Sequence, residues 1–343
     1  MTKRYLGNII TQNPTAPAGP YEDGAASGVW SLAEALSYTK GGLWPIAGNY
    51  LPIGLIAGGS TTGGSPYLNT VDYISIASTG NATDFGDLGL QRIGMGACGS
   101  STRAVIGGGQ DTGAPRESMN YTTFATTGTF LNFGNLVEEE YGVTAFSSST
   151  RGVFAGGLSD NIGFNNIMQY ITIASTGNAT DFGDLLLVLY FASSCASSTR
   201  GVVFGGDYEG TEYNTIQYVT TASTGNATDF GDLLAATTGT AAASSATRGV
   251  VGGGFTTGVV NTIQYVTIAS TGNATDFGDL TVVSSYVAAA SSPERAIFAG
   301  VGGTNSIDYV TIATTGNAAD FGDLTSVRQG RPTGCSNAHG GLA

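Results

Sequence analysis

Charge is the scarcest commodity in this chain. Only 11 % of its 343 residues are Asp, Glu, Lys or Arg, and the balance among them is acidic, −13. A phosphate backbone would be repelled by such a surface rather than neutralised, so nucleic acid is excluded as a partner. There is one histidine, His339, and there are three cysteines, too few for a disulfide framework in a chain of this length. A zinc centre needs clustered Cys and His, whereas Cys98, Cys195 and Cys335 each stand alone; they read as small apolar fillers. No run of about 18 apolar residues could span a bilayer, and MTKRYLGNII carries no apolar core of a signal peptide. Membrane insertion and secretion are therefore not expected, and no cofactor is expected.

Glycine is abundant instead, with 54 copies against 9 prolines, which argues for many turns rather than long helices. The segment STGNATDFGDL occupies residues 78–88 and returns unchanged from Ser175, Ser223 and Ser270. TTGNAADFGDL from Thr314 is a near copy, and TTGTFLNFGNL from Thr126 a worn one. Around it lies a longer repeat. The runs RAVIGGG, RGVFAGG, RGVVFGG, RGVVGGG and RAIFAGV begin at Arg103, Arg151, Arg200, Arg248 and Arg295, with an incomplete IGLIAGG from Ile53. A tyrosine strand such as IQYVTIAS follows each. The period is near 50, with four short β-rich runs per unit separated by Gly, Ser, Asn or Asp, as in a propeller of kelch type. In IQYVTIAS, Ile263, Tyr265 and Thr267 share one face and Gln264, Val266 and Ile268 the other. Apolar groups on both faces suit a sheet packed between two neighbours.

The repeat resembles kelch repeats in particular: a glycine pair (Gly156, Gly157), a tyrosine strand (Tyr170) and an aromatic a dozen residues later (Phe182). It departs from them in having Phe where kelch has Trp, and in keeping the arginine before the first strand only at Arg92 and Arg328. The resemblance covers residues 51–343. The final segment TSVRQGRPTGCSNAHGG aligns with the first strand of a unit, Cys335 matching Cys98 and Cys195. The expectation is an all-β, six-bladed kelch-like β-propeller of four-stranded blades over 51–343, closed by the C-terminal strand, with an N-terminal arm over 1–50. Closure removes an open edge that would invite aggregation.

In a meander, joints alternate between the two ends of the disc. The turns SSTRG and STGNATDFG share one end and hardly vary; the joints after the glycine pairs and after GDL share the other and vary freely. The repeated segment thus reads as a blade corner, in which Phe85 plugs between blades and Asp84 pairs with an STR arginine. Asn81-Ala82-Thr83 forms a glycosylation sequon, and Asp84 with Asp87 could offer calcium oxygens, but both are read as turn structure. The loop aromatics Tyr67, Phe164, Tyr208, Tyr213 and Phe255 are the candidate contacts of the variable face. No catalytic signature is found, so no enzyme is expected; the carboxylates Glu138, Glu139 and Glu140 beside Asp207 and Glu209 are the candidates for a rival glycan-cleaving reading.

The arm holds both tryptophans, Trp30 and Trp44, and both lysines, and its charges cancel. Ser31-Leu32-Ala33-Glu34 has the form of a capping box opening one short helix that ends at Gly41-Gly42. Such a helix cannot make a core and must dock; Trp30, Leu32, Leu36 and Trp44 are the candidate anchors. KRYLGNIIT, AASGVWSLAEAL and GLWP, together with the propeller repeats and the ending GCSNAHGGL, resemble virion proteins of marine bacteriophages that infect cyanobacteria and SAR11-type bacteria. That resemblance implies a tail or capsid appendage, homo-oligomeric in the particle. Its arm would hold other virion proteins and its propeller would meet a host surface glycan or protein. The alternative is a purely architectural subunit.

Overall fold

The computed structural model describes residues 31, 33–34, 36–37, 51–61, 64–128 and 130–342. Ile53–Ala343 form one compact unit. It is a six-bladed β-propeller of four-stranded antiparallel sheets. Blade 2 shows the plan: an inner strand Ile93–Gly99, then Arg103–Gln110, Arg116–Thr123 and the outer strand Leu131–Glu140, each paired with the next. The inner strands of blades 3 to 6 are Thr144–Ser147, Ser193–Ala196, Ala241–Ser244 and Ala288–Ser291. Blade 1 takes Ile53–Ala57, Thr70–Ser75 and Thr83–Asp87 from the start of the propeller and its inner strand, Thr333–Ser336, from the tail, with Leu55 opposite Cys335. The expected closure is therefore present. A buried ion pair reinforces it: Arg328 lies 3.1 Å from Asp72, both side chains fully buried, and Asp72 also accepts from the Thr325 hydroxyl.

The repeated segment turns out to be a strap between blades. In each copy the Gly amide of TGN donates to the Phe carbonyl of the preceding blade's outer strand. The residue two further on donates to the carbonyl of the Asp or Asn two residues past that Phe. Gly225 to Phe182 and Ala227 to Asp184 are one instance, and Gly80 to Phe321 with Ala82 to Asp323 closes the ring; the bonds span 2.7–3.2 Å. At five interfaces the Asn side chain adds a bond from the same outer strand, as Asp184 N–H to Asn226 Oδ1 at 3.1 Å. The two backbones come so close that the Gly of DFG can carry no side chain. A Cβ on Gly231, whose φ is +143°, would sit 2.6 Å from the Gly272 carbonyl. Each motif is donor to one neighbour and acceptor to the other, which is why it recurs nearly unchanged.

Phe85 is buried against Phe130 across the first interface, as expected. The pairing of Asp84 with an STR arginine is not found. Those arginines stack on the tyrosine of their own blade, Arg151 lying 4.3 Å from the Tyr170 ring centroid. They also donate to backbone carbonyls of the next blade, Arg151 to Thr221 at 3.1 Å. Buried carbonyls of a neighbouring sheet need a donor, while Asp84 is exposed and solvated. The cysteines are buried and free, and burial pushes the Cys195 and Cys335 thiols up to about 12.

In the arm, the capping box forms: Glu34 N–H donates to Ser31 Oγ at 3.2 Å, and Ser31 N–H donates back to Glu34 Oε2 at 2.9 Å. Residues 33, 34, 36 and 37 are helical and Leu36 is exposed. Trp30, Leu32 and Trp44 lie outside the described residues.

Candidate binding face

The inner strands converge on a central channel. Alternation sends one small residue per blade toward the axis, including Ala145, Ser194, Ala242, Ala289 and Gly334, around a cavity of about 110 Å³. Toward the strap end the channel is braced by serines reaching across blades, Ser244 Oγ to the Ala196 carbonyl at 2.8 Å and Ser291 Oγ to the Ser244 carbonyl at 2.9 Å. His339 sits at that mouth. Its Nδ1 accepts from Gly341 N–H and its Nε2 lies 2.9 Å from the Gly99 carbonyl. Burial holds its pKa below the ordinary value. Both ring nitrogens of the histidine are thus engaged by the protein, and no group of three or more metal-ligating side chains occurs among the described residues.

The opposite mouth is where the variable loops meet. Each connection into an inner strand passes through one residue at positive φ: Gly94, Gly142, Phe191, Gly239, Tyr286 and Arg331, with φ between +52° and +70°. Their backbones bond around the axis, Gly142 N–H to Gly94 O, Phe191 to Gly142, Gly239 to Phe191, Tyr286 to Gly239, and Gly94 to Arg331, at 2.7–3.0 Å. Glycine adopts this conformation freely, but for Phe, Tyr and Arg it costs of the order of 1–3 kcal/mol each. Those three side chains form a cap. The Arg331 guanidinium carbon lies 4.3 Å from the Phe191 ring centroid, 4.9 Å from Tyr286 and 5.4 Å from Tyr141. The Phe191 ring packs edge-on against both tyrosines at 5.2 Å.

Beside the cap lies a buried carboxyl. Glu140 accepts from Asn165 Nδ2 at 3.0 Å through both oxygens. Burial pushes its pKa up to about 8; the charges of Glu138 and Glu139 act in the same direction, and the Asn165 bond opposes it. Asp207 is also raised by burial, and its Oδ2 accepts from Gly210 N–H at the turn of a small ribbon, Asp207–Tyr208 with Thr211–Glu212. Of the five acids singled out from the sequence, Glu140 thus ends the outer strand of blade 2 and is bonded to Asn165 of blade 3, Asp207 holds the ribbon turn through one oxygen, and Glu209 is an exposed turn residue at φ +50°.

The five loop aromatics fall into separate settings. Phe164 and Tyr208 come together across blades 3 and 4, 5.6 Å apart, with Tyr190 at 4.9 Å from Phe164. Tyr67 packs at the edge of the cap cluster with Ile93, Tyr141 and Phe191. Phe255 is exposed on a blade 5 loop, bridged to Thr238 and Val259. Tyr213 is half-buried, and its backbone spans Gly206 and Thr237. The cap residues Tyr141, Tyr190, Phe191, Tyr286 and Arg331 were not among the expected contacts. A signal existed: four residues before the aligned cysteines stand Gly94, Phe191 and Arg331, a glycine position that has acquired bulk in two copies.

No protein-family model matches this chain, and no curated protein matches it either.

Proposed function

We propose that this chain is a non-enzymatic structural protein of a phage particle, an appendage component whose arm anchors it and whose propeller binds the host surface through the loop face. The reading draws its location from the resemblance to marine phage virion proteins. The observation that carries the binding role is the asymmetry of the disc. One end is tied blade to blade by near-identical straps. The other carries divergent loops, exposed aromatics at Tyr208 and Phe255, and an axial cap that bears backbone strain at three positions. Strained non-glycine residues concentrate where function over-rides economy of folding, and surface aromatics are favoured at recognition sites. In a particle, many copies would raise avidity, so each contact can stay weak.

The test is binding of the fluorescently labelled full chain to cyanobacterial and SAR11-type cells, as prepared and artificially multimerised. Saturable binding, lost when Phe164, Tyr208 and Phe255 become Ser, is the expected result. No binding by the multimer would instead favour a purely architectural subunit.

A further inference from the structure

We propose that the axial pocket of the loop face receives a single anionic group, a carboxylate or a sulfate or phosphate ester, on the guanidinium of Arg331. This rests on the host-binding reading above and specifies the chemistry the ligand must carry.

Every other arginine of the propeller is engaged by a polar partner. Arg92 donates to the Gly108 and Ser118 carbonyls, and Arg328 pairs with Asp72. Arg103, Arg151, Arg200, Arg248 and Arg295 donate to carbonyls of the next blade, and Arg116 pairs with Asp111. The Arg331 guanidinium has neither a hydrogen bond nor an ion pair among the described residues; it lies against the rings of Tyr141, Phe191 and Tyr286. A guanidinium carries five N–H donors in its plane. None of them has an acceptor among the described residues, which leaves them to a bidentate anion, and the three surrounding rings restrict where the fork can move. Burial without a carboxylate neighbour also holds the Arg331 pKa below its ordinary value, a deficit that a bound anion would remove.

The surrounding backbone is consistent with a built site. Three of the six axial positions are glycines, and the cap rings fold onto them: a Cβ on Gly94, Gly142 or Gly239 would meet Tyr141, Phe191 or Tyr286 at 2.6, 3.0 and 2.8 Å. A cavity of about 70 Å³ is bordered by Phe191, Tyr286 and Arg331. Arg331 sits at φ +55°, Phe191 at +52° and Tyr286 at +56°, so the guanidinium and two of its aromatic walls are held there against conformational preference. Selectivity follows from the rim. Asp207 and Glu212 lie close enough to act on Tyr286, and the chain carries a net −13. A polyanion is repelled by such a surface, while one isolated anionic group reaches the single cation on the axis.

The test is calorimetric titration of the full chain with sodium glucuronate, glucose 6-sulfate and glucose 6-phosphate at fixed ionic strength, with neutral glucose alongside. Saturable 1:1 binding of at least one charged sugar is expected, with none for glucose, and the preferred sugar identifies the kind of anion. Binding should weaken by roughly tenfold or more in Arg331→Gln and, because the planar fork is lost, in Arg331→Lys. Arg331→Gly suits the positive φ, so this variant should keep the wild-type fold by circular dichroism and still lose binding. Absence of saturable binding by any charged sugar, or binding by Arg331→Gln within about twofold of wild type, overturns the proposal. Should wild type fail to bind cells yet bind a charged sugar, the host-binding reading fails and the pocket stands. Should it bind cells but no charged sugar, the pocket fails and the host-binding reading stands.

Discussion

The two ends of the propeller obey different rules. At the strap end, equivalent positions carry the same residues because each residue has two masters: TGN-A grips the blade before it and DFGD is gripped by the blade after it. A change in one copy would have to satisfy both neighbours. At the loop end, the same backbone position can be Gly94 in blade 2, Phe191 in blade 4 and Arg331 in blade 1 while five axial backbone bonds link it from blade to blade. The blades are bonded at both ends, but at the loop end the axial bonds are made by backbone groups that do not specify the side chain, which leaves that end free to diverge. That division supports the proposal that the loop face is the one that binds.

The sharpest way to break the comparison is at the seam where the tail closes the ring. Deleting residues 325–343 removes the inner strand of blade 1 and the partner of Asp72. The product should aggregate rather than melt cooperatively. Asp72→Ala leaves Arg328 buried and unpaired, which should cost about 3–5 kcal/mol in urea unfolding. Next comes the strap itself. Gly231→Ala drives a Cβ into Gly272 at positive φ and should cost about 1–3 kcal/mol, whereas Gly258→Ala on the loop face meets open space and should stay within about 0.5 kcal/mol. Asn226→Ala removes one side-chain bond to Asp184 N–H, a loss of about 1 kcal/mol.

The loop face has its own signature in pH. Glu140 has a folded pKa of about 8 against an ordinary 4.5, so the folded state holds a proton that the unfolded state releases. The resulting stability is complete below about pH 4.5 and is lost as pH rises through about 8. The melting temperature of wild type should therefore fall across that window more steeply than that of Glu140→Gln, and the variant should be the more stable at pH 8.

Much of the fold was legible because the repeat is written six times. The glycine pairs, the tyrosine strands and the alignment of Cys335 with Cys98 and Cys195 sufficed for blade count and for closure. The partners of individual side chains were less so. Asp84 and the STR arginines share an end of the disc, which suggests an ion pair, yet the arginine finds the carbonyl of Thr221 or Ile268 in the next blade instead. Spacing along one unit says nothing of what the neighbouring sheet presents. The cap was harder still. Phe191, Tyr286 and Arg331 look like unrelated loop residues until they are seen to occupy one position in three blades, and no pattern within a blade announces that they meet on the axis. Tyr208 and Phe164 were legible as loop aromatics, but not as a pair.

The division between the two ends is tested most directly by comparing melting temperatures of two full-length variants. In the first, the exposed loop-face residues Tyr208, Phe255 and Val259 all become Ser; the second is Gly231→Ala. The loop variant should melt close to wild type despite its three substitutions, and the single strap substitution should melt clearly lower. A loop variant that melts below Gly231→Ala would contradict the account, because the fold would then be held by the face that varies.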